Sequence, residues 1–159
     1  SKLAKSLFKA GSKITVASIN PETINELKKE ISFIETRPEN LFITSCDIVS
    51  PCALGGIINI SNRKQLKCKA IVGAANNQLD NQETGEWLLK NKIVYSPDYL
   101  VNSGGVIAIA SEINKTENLI EEQLKKIGDR LTSVLEESKR SGESTNLVAK
   151  RIAWERINS

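Results

Sequence analysis

From its start to Tyr95 this chain alternates short runs rich in β-branched residues with stretches whose apolar residues recur at helical spacing. That alternation constrains it more than any other feature, because parallel strands need long crossovers and helices supply them. The first β-branched run is Lys13-Ile14-Thr15-Val16-Ala17-Ser18-Ile19. A second falls in the later part of Leu41 to Val49. Cys68-Lys69-Ala70-Ile71-Val72 and Lys92-Ile93-Val94-Tyr95 follow. The expected fold is α/β: a parallel sheet with helices on both faces, followed by C-terminal helices.

The helical stretches carry their own punctuation. Leu3, Leu7 and Phe8 mark a first helix, stopped by Gly11. Asn20-Pro21-Glu22 reads as an N-cap, a proline at the first helical position and an acid in the first turn. Ile24, Leu27 and Ile31 form the buried face of that helix. A short helix is expected around Glu83 to Lys90. Beyond Tyr95 the pattern is wholly helical. Asn114-Lys115-Thr116-Glu117 resembles a capping box, ahead of a stripe at Ile120, Leu124, Ile127, Leu131 and Val134 or Leu135. Gly142 ends it. Ser144 or Thr145 caps a last helix carrying Leu147, Val148, Ile152 and Ile157. The expected domains are residues 1–113, holding the sheet, and 114–159, the C-terminal helices.

Composition removes several function classes. With 22 basic and 19 acidic residues the net charge is only +3, and Lys and Arg mix with Glu along the helices, so no nucleic-acid partner is expected. No apolar run approaches the ~20 residues of a membrane span. Histidine is absent, which removes Ser-His-Asp and Cys-His chemistry and His-based metal sites; no metal is expected. Cys46, Cys52 and Cys68 have no CxxC spacing, and an odd count in a chain without signal-peptide order points to free thiols in the cytoplasm. The absence of methionine, even at position 1, fits a portion of a longer product.

Four segments carry a resemblance: Cys46-Asp47-Ile48-Val49-Ser50-Pro51-Cys52-Ala53-Leu54-Gly55-Gly56, Gly73-Ala74-Ala75-Asn76-Asn77-Gln78-Leu79, Tyr95-Ser96-Pro97-Asp98-Tyr99 and Asn102-Ser103-Gly104-Gly105-Val106. In this order, each at the C-terminal end of an expected strand, they resemble the Glu/Leu/Phe/Val amino-acid dehydrogenases, the leucine, phenylalanine and valine enzymes most of all. The resemblance implies a Rossmann-like dinucleotide-binding domain that lacks its first strand. The glycine-rich turn G-x-G-x-x-G would lie a few residues upstream of Ser1. It also implies reversible oxidative deamination of an apolar L-amino acid to a 2-oxo acid and ammonia, in a homo-oligomer, with this portion inactive alone. Glutamate dehydrogenase and a non-catalytic nucleotide-binding module are the alternatives.

The same resemblance implies residue roles. The Cys52-Ala53 backbone would border the ribose and adenine side of NAD. Asn76 and Asn77 would lie by the nicotinamide ribose and carboxamide, although at least one of them reads better as a helix cap or turn. Asn102 would contact both nicotinamide and amino acid, in an Asn-Ser-Gly-Gly that replaces the more usual Asn-Ala-Gly-Gly. Val106 and Ile109, three apart on the next helix, are either core or the lining of the side-chain pocket. Ser18 falls where the family usually has an acid that holds the adenosine ribose. Serine does not repel a 2′-phosphate, so NADP stays open beside NAD. No catalytic residue is expected here, because the family's lysine and aspartate belong to a preceding domain. Asp47 is therefore not read as catalytic, and Cys46 and Cys52 are read as small buried residues.

Overall fold

The side chain of Asn20 starts a helix as its position suggested. Its Oδ1 accepts from the backbone N–H of Glu22 at 2.8 Å and of Thr23 at 3.4 Å, opening α2 (Pro21–Lys28). The computed structural model describes residues 2–159 and divides into two compact units, Ser1–Thr44 and Ser45–Ser159. In the first, α1 (Lys2–Lys9) ends before Gly11, whose φ of +85° a side chain would strain. The strand β1 (Thr15–Ala17) pairs in parallel with β2 (Ile34–Thr36), Thr15 opposite Ile34. Ile24 and Leu27 are both 3% exposed, so α2 buries the face its spacing indicated. Ile31 lies beyond the helix and is only half-buried.

In the second unit β3 (Ile48–Val49), β4 (Ala70–Ile71) and β5 (Val94–Tyr95) form one parallel ladder in that order, with Val49 opposite Ile71 and Ile71 opposite Tyr95. Each paired segment is shorter than its β-branched run. Residues 38–43 are 3-10 and turn structure, so only the end of the Leu41–Val49 run becomes strand. The expected parallel sheet is observed as two ladders, every pairing parallel. Val49, Ile58, Ile71, Leu88 and Tyr95 are at most 3% exposed and form the centre of the unit. Burying side chains of this size stabilises by ~1.5–3 kcal/mol each.

The helix α3 (Gln82–Lys90) crosses from β4 to β5, capped by Asn81, whose Oδ1 accepts from Thr84 N–H at 3.0 Å. After β5 come α4 (Asp98–Val101), α5 (Gly104–Ile113), α6 (Ile120–Ser141) and α7 (Thr145–Ile157). The anticipated capping box does not form. Asn114 instead closes α5, its Nδ2 donating to Ala110 O at 2.8 Å, and Lys115 turns the chain with φ +54°. A 3-10 turn at Glu117–Leu119 then leads into α6, which has no side-chain cap. Gly142, at φ +75°, stops α6. Ser144 occupies the N-cap position of α7 without capping, while Thr145 Oγ1 donates to Tyr95 O at 2.6 Å.

The α6 stripe packs as its period requires: Val134 is buried among Val148, Ala149, Leu100 and Ile152, although Leu124 is 39% exposed. α6 lies against α4, α5 and α7 within this second unit. Arg151 of α7 reaches Glu137 at 2.8 Å and Glu143 at 2.9 Å, tying the last two helices together. Among the described residues no helix is long and apolar enough to cross a membrane.

Candidate functional site

Three loops leave the carboxyl ends of β3, β4 and β5, and two of them interlock. Ala75 N–H donates to Pro51 O at 3.0 Å, Gly56 N–H to Asn77 O at 2.7 Å and Ile58 N–H to Gln78 O at 3.0 Å. The approach is so close that glycine is obligatory: a Cβ on Gly73 would stand 2.1 Å from Pro51 O. One on Gly55 would stand 2.8 Å from Asn76 O. Part of the small-residue character of Pro51 to Gly56 is thus consumed by loop-on-loop packing. Gln78 completes the lock, since it is fully buried and its Nε2 donates to Gly73 O at 2.8 Å and Ala75 O at 2.9 Å. Sequence reasoning passed over Gln78, although its place beside two asparagines in an apolar setting was a signal.

The two asparagines separate into different jobs. Asn77 is the turn residue: its φ is +51°, its carbonyl accepts from Gly56, and its N–H donates to Asp98 Oδ2 at 2.5 Å. Asn76 keeps an exposed side chain, and its Oδ1 accepts from Asn102 Nδ2 at 2.6 Å. Asn102 ends α4, where its backbone N–H donates to Asp98 O at 2.8 Å. Among the described residues Asn76 Nδ2 and Asn102 Oδ1 take no hydrogen bond, so a donor group and an acceptor group of the pair stay available.

Asp98 itself is 8% exposed, and its Oδ1 accepts from Tyr95 Oη at 2.9 Å. Burial, reinforced by this carboxylate, pushes the Tyr95 phenol far above its ordinary value, so it stays a donor. Burial and then Asp98 raise Tyr99 to about 12, and its Oη donates to Asn146 O at 2.9 Å.

Beyond Asn102 the helix α5 begins at Gly104. Val106 and Ile109 are 71% and 60% exposed, so of their two readings the core one does not hold in this chain; Ile107, 9% exposed, is the core residue of that helix. Cys52 and Ala53 are exposed. The expectation of a buried Cys52 is therefore corrected: it stands on the loop that Gly73 holds against Pro51, not beneath it. Cys46 is half-buried, and burial raises its thiol. Asp47 sits in an exposed ion pair with Lys69 at 2.7 Å, which also holds its carboxyl below the ordinary value.

Ser18 lies in the first unit just after β1, half-buried. Its Oγ accepts from Asn20 N–H at 3.1 Å, which shapes the turn into α2. Among the described residues no three His, Cys, Asp or Glu side chains gather as a metal site requires.

A parallel ladder whose carboxyl-end loops meet at a pair of amides defines an α/β domain of the kind that takes its ligand at that edge. The family model described as Glutamate/Leucine/Phenylalanine/Valine dehydrogenase matches residues 9–159, and the chain belongs to that family. It is 39% identical over 158 residues to leucine dehydrogenase of Thermoactinomyces intermedius, covering 98% of this chain and 43% of the relative. The crystal structure of L-tryptophan dehydrogenase from Nostoc punctiforme superposes with a TM-score of 0.94 at 35% identity, over 99% of this chain and 47% of that one. A glutamate dehydrogenase of Thermus thermophilus shares the fold, with a TM-score of 0.64 at 21% identity over 85% of this chain and 34% of that one. The chain spans less than half the length of the curated relatives it matches.

Proposed function

We propose that this chain is the nucleotide-binding portion of an NAD-dependent amino-acid dehydrogenase that converts an apolar L-amino acid to its 2-oxo acid and ammonia. The observation that carries this reading is the Asn102–Asn76 amide pair at the carboxyl edge of the ladder. A nicotinamide carboxamide offers one acceptor and two donors. Asn76 Nδ2, with its two N–H donors, and the acceptor Asn102 Oδ1 are complementary to it. Cys52 and Ala53 are exposed, and Gly56 beside them has nothing within 4 Å of its would-be Cβ, so this stretch of the loop is open to a ligand. These residues therefore fit the group.

When bound, the nicotinamide supplies the hydride acceptor for the amino acid's α-carbon. The chain's own part is to hold and orient it. Asn76 and Asn102 would fix the carboxamide, and so which face of the ring meets the substrate. Val106 and Ile109 present apolar surface on the helix that starts beside Asn102, which suits an aliphatic or aromatic side chain. A glutamate side chain set against them would leave a carboxylate unpaired at considerable cost. Ser18 carries no charge to repel a 2′-phosphate, so the reading includes NADP as a lesser alternative. The same reading has the protein working as a cytoplasmic homo-oligomer, with the helices after residue 114 bracing its domains.

The test is an assay of the full gene product with NAD against leucine, valine, phenylalanine, tryptophan and glutamate. Turnover of one or more apolar amino acids is expected. Glutamate as the preferred substrate overturns the substrate class, and no turnover of any overturns the function.

A further inference from the structure

The motif Tyr95-Ser96-Pro97-Asp98-Tyr99 supplies none of the groups assigned to the site above, yet its aspartate touches both halves of the amide pair's support. The Asp98 carboxylate is buried and both its oxygens are engaged: Oδ2 accepts from Asn77 N–H at 2.5 Å and Oδ1 from Tyr95 Oη at 2.9 Å. The Asp98 carbonyl accepts from Asn102 N–H at 2.8 Å. One residue therefore fixes the backbone beside Asn76 with its side chain and the backbone of Asn102 with its main chain.

We propose that Asp98 is the positioning residue of the site, holding the loop that bears Asn76 and the turn that bears Asn102 at the separation their side-chain hydrogen bond requires. This rests on the reading of the amide pair as the nicotinamide contact for its functional meaning, but its geometry stands apart from that reading.

The chemistry suits the task. Asn77 is held at φ +51°, in the left-handed region that asparagine enters more readily than most residues with a side chain but that is still disfavoured for it. A hydrogen bond to a carboxylate is about twice as strong as one to a neutral acceptor, so Asp98 is well placed to hold that conformation. Tyr95 occupies the second carboxylate oxygen, and Pro97, fully buried, starts the turn that aims Asp98 back toward β4. Thr145 then pins the carbonyl of Tyr95 from α7 at 2.6 Å. The carboxylate thus has fixed supports on both sides. Asp98 lies in the first turn of α4, and an acid there also serves a helix N-terminus. That simpler role would not require contact with Asn77.

The experiment is solution NMR of the full ¹⁵N-labelled chain, with no nucleotide present, following the Asn77 backbone amide and the Asn102 side-chain amide. Wild type is compared with Asp98→Ala, Asp98→Asn and Val134→Ala, the last a core truncation outside this network. In Asp98→Ala, exchange of the Asn102 side-chain amide is expected to quicken by about tenfold, the scale of one lost charge-assisted hydrogen bond, with the Asn77 resonance displaced. Asp98→Asn keeps one acceptor and is expected to fall between Asp98→Ala and wild type. Val134→Ala is expected to lose stability and leave both signals in place. If Asp98→Ala does not fold, Asp98→Asn decides alone: unchanged Asn77 and Asn102 signals overturn the proposal. So does an Asp98→Ala spectrum whose site signals match those of Val134→Ala. Because no nucleotide is used, the cofactor reading can fail without altering this result.

Discussion

Asn102 donates through its Nδ2 to Asn76 Oδ1 at 2.6 Å, although 26 residues separate the two in sequence. The contact joins the loop after β4 to the turn that follows β5, the two neighbouring strands of one parallel ladder. It leaves Asn76 Nδ2 and Asn102 Oδ1 without a hydrogen bond among the described residues.

The interlocked loops set the first prediction. Gly73→Ala forces a methyl group to 2.1 Å from Pro51 O, so backbone must move. A loss of about 3 kcal/mol or more in chemical denaturation is expected. Gly128, inside α6, has nothing within 4 Å of its would-be Cβ. Gly128→Ala should instead stabilise by about 0.5–1 kcal/mol through helix propensity. Equal effects from the two substitutions would contradict the loop-on-loop packing.

The second concerns α5. Ile107 is 9% exposed, and Ile107→Ala should cost about 2–4 kcal/mol in stability. Val106 and Ile109 are mostly exposed, so Val106→Ala and Ile109→Ala should fall within about 0.5 kcal/mol of wild type. In the full gene product these two should raise KM for apolar amino acids while leaving KM for NAD unchanged. A stability loss like that of Ile107→Ala, or an unchanged KM, counts against the pocket role.

Nucleotide choice is open to direct test at Ser18. Replacing it with aspartate places a carboxylate after β1, where a 2′-phosphate would be repelled. The ratio of kcat/KM for NAD over NADP is expected to rise by at least about tenfold, one close charge repulsion's worth. An unmoved ratio would remove Ser18 from the nucleotide site and leave it as the residue that shapes the turn to Asn20.

A pH dependence follows from the last two helices. Hydrogen bonds from Arg140 and Arg151 hold the Glu137 carboxyl below its ordinary 4.5 in the folded chain. The unfolded chain, with the ordinary value, then binds the proton first as pH falls. The stabilisation is therefore present above pH 4.5 and is lost as pH drops through the lower folded value. Glu137→Gln should flatten the acid limb of a stability–pH profile measured at low salt, and added salt should weaken the contribution in wild type. An identical acid limb in the variant would show that the pairing does not couple to folding.

What could be read from the residues alone followed local signals. β-branched runs marked β1, β3, β4 and β5, and Asn20-Pro21-Glu22 marked the start of α2. Ile34-Glu35-Thr36 escaped notice because a three-residue strand with a charge at its centre and Ile34 68% exposed has neither period nor apolar run. The expected capping box failed because the turn at Lys115 takes Asn114 out of reach of α6 and commits it to Ala110. Asn76 and Asn102 were legible as parts of motifs. Asp98 was not legible as their common support, since its bond to Asn77 spans 21 residues and leaves no local pattern. Nor was the exposure of Cys52, which depends on how two loops stack.

The measurement that bears most directly on the proposed nucleotide site is a crystal structure of the full gene product with NADH at millimolar concentration. The expected result is a nicotinamide ring at the carboxyl edge of β4 and β5, its carboxamide within hydrogen-bond distance of Asn76 Nδ2 and Asn102 Oδ1. An ordered nicotinamide elsewhere, or an unaltered amide pair with no nucleotide against it, would contradict the account.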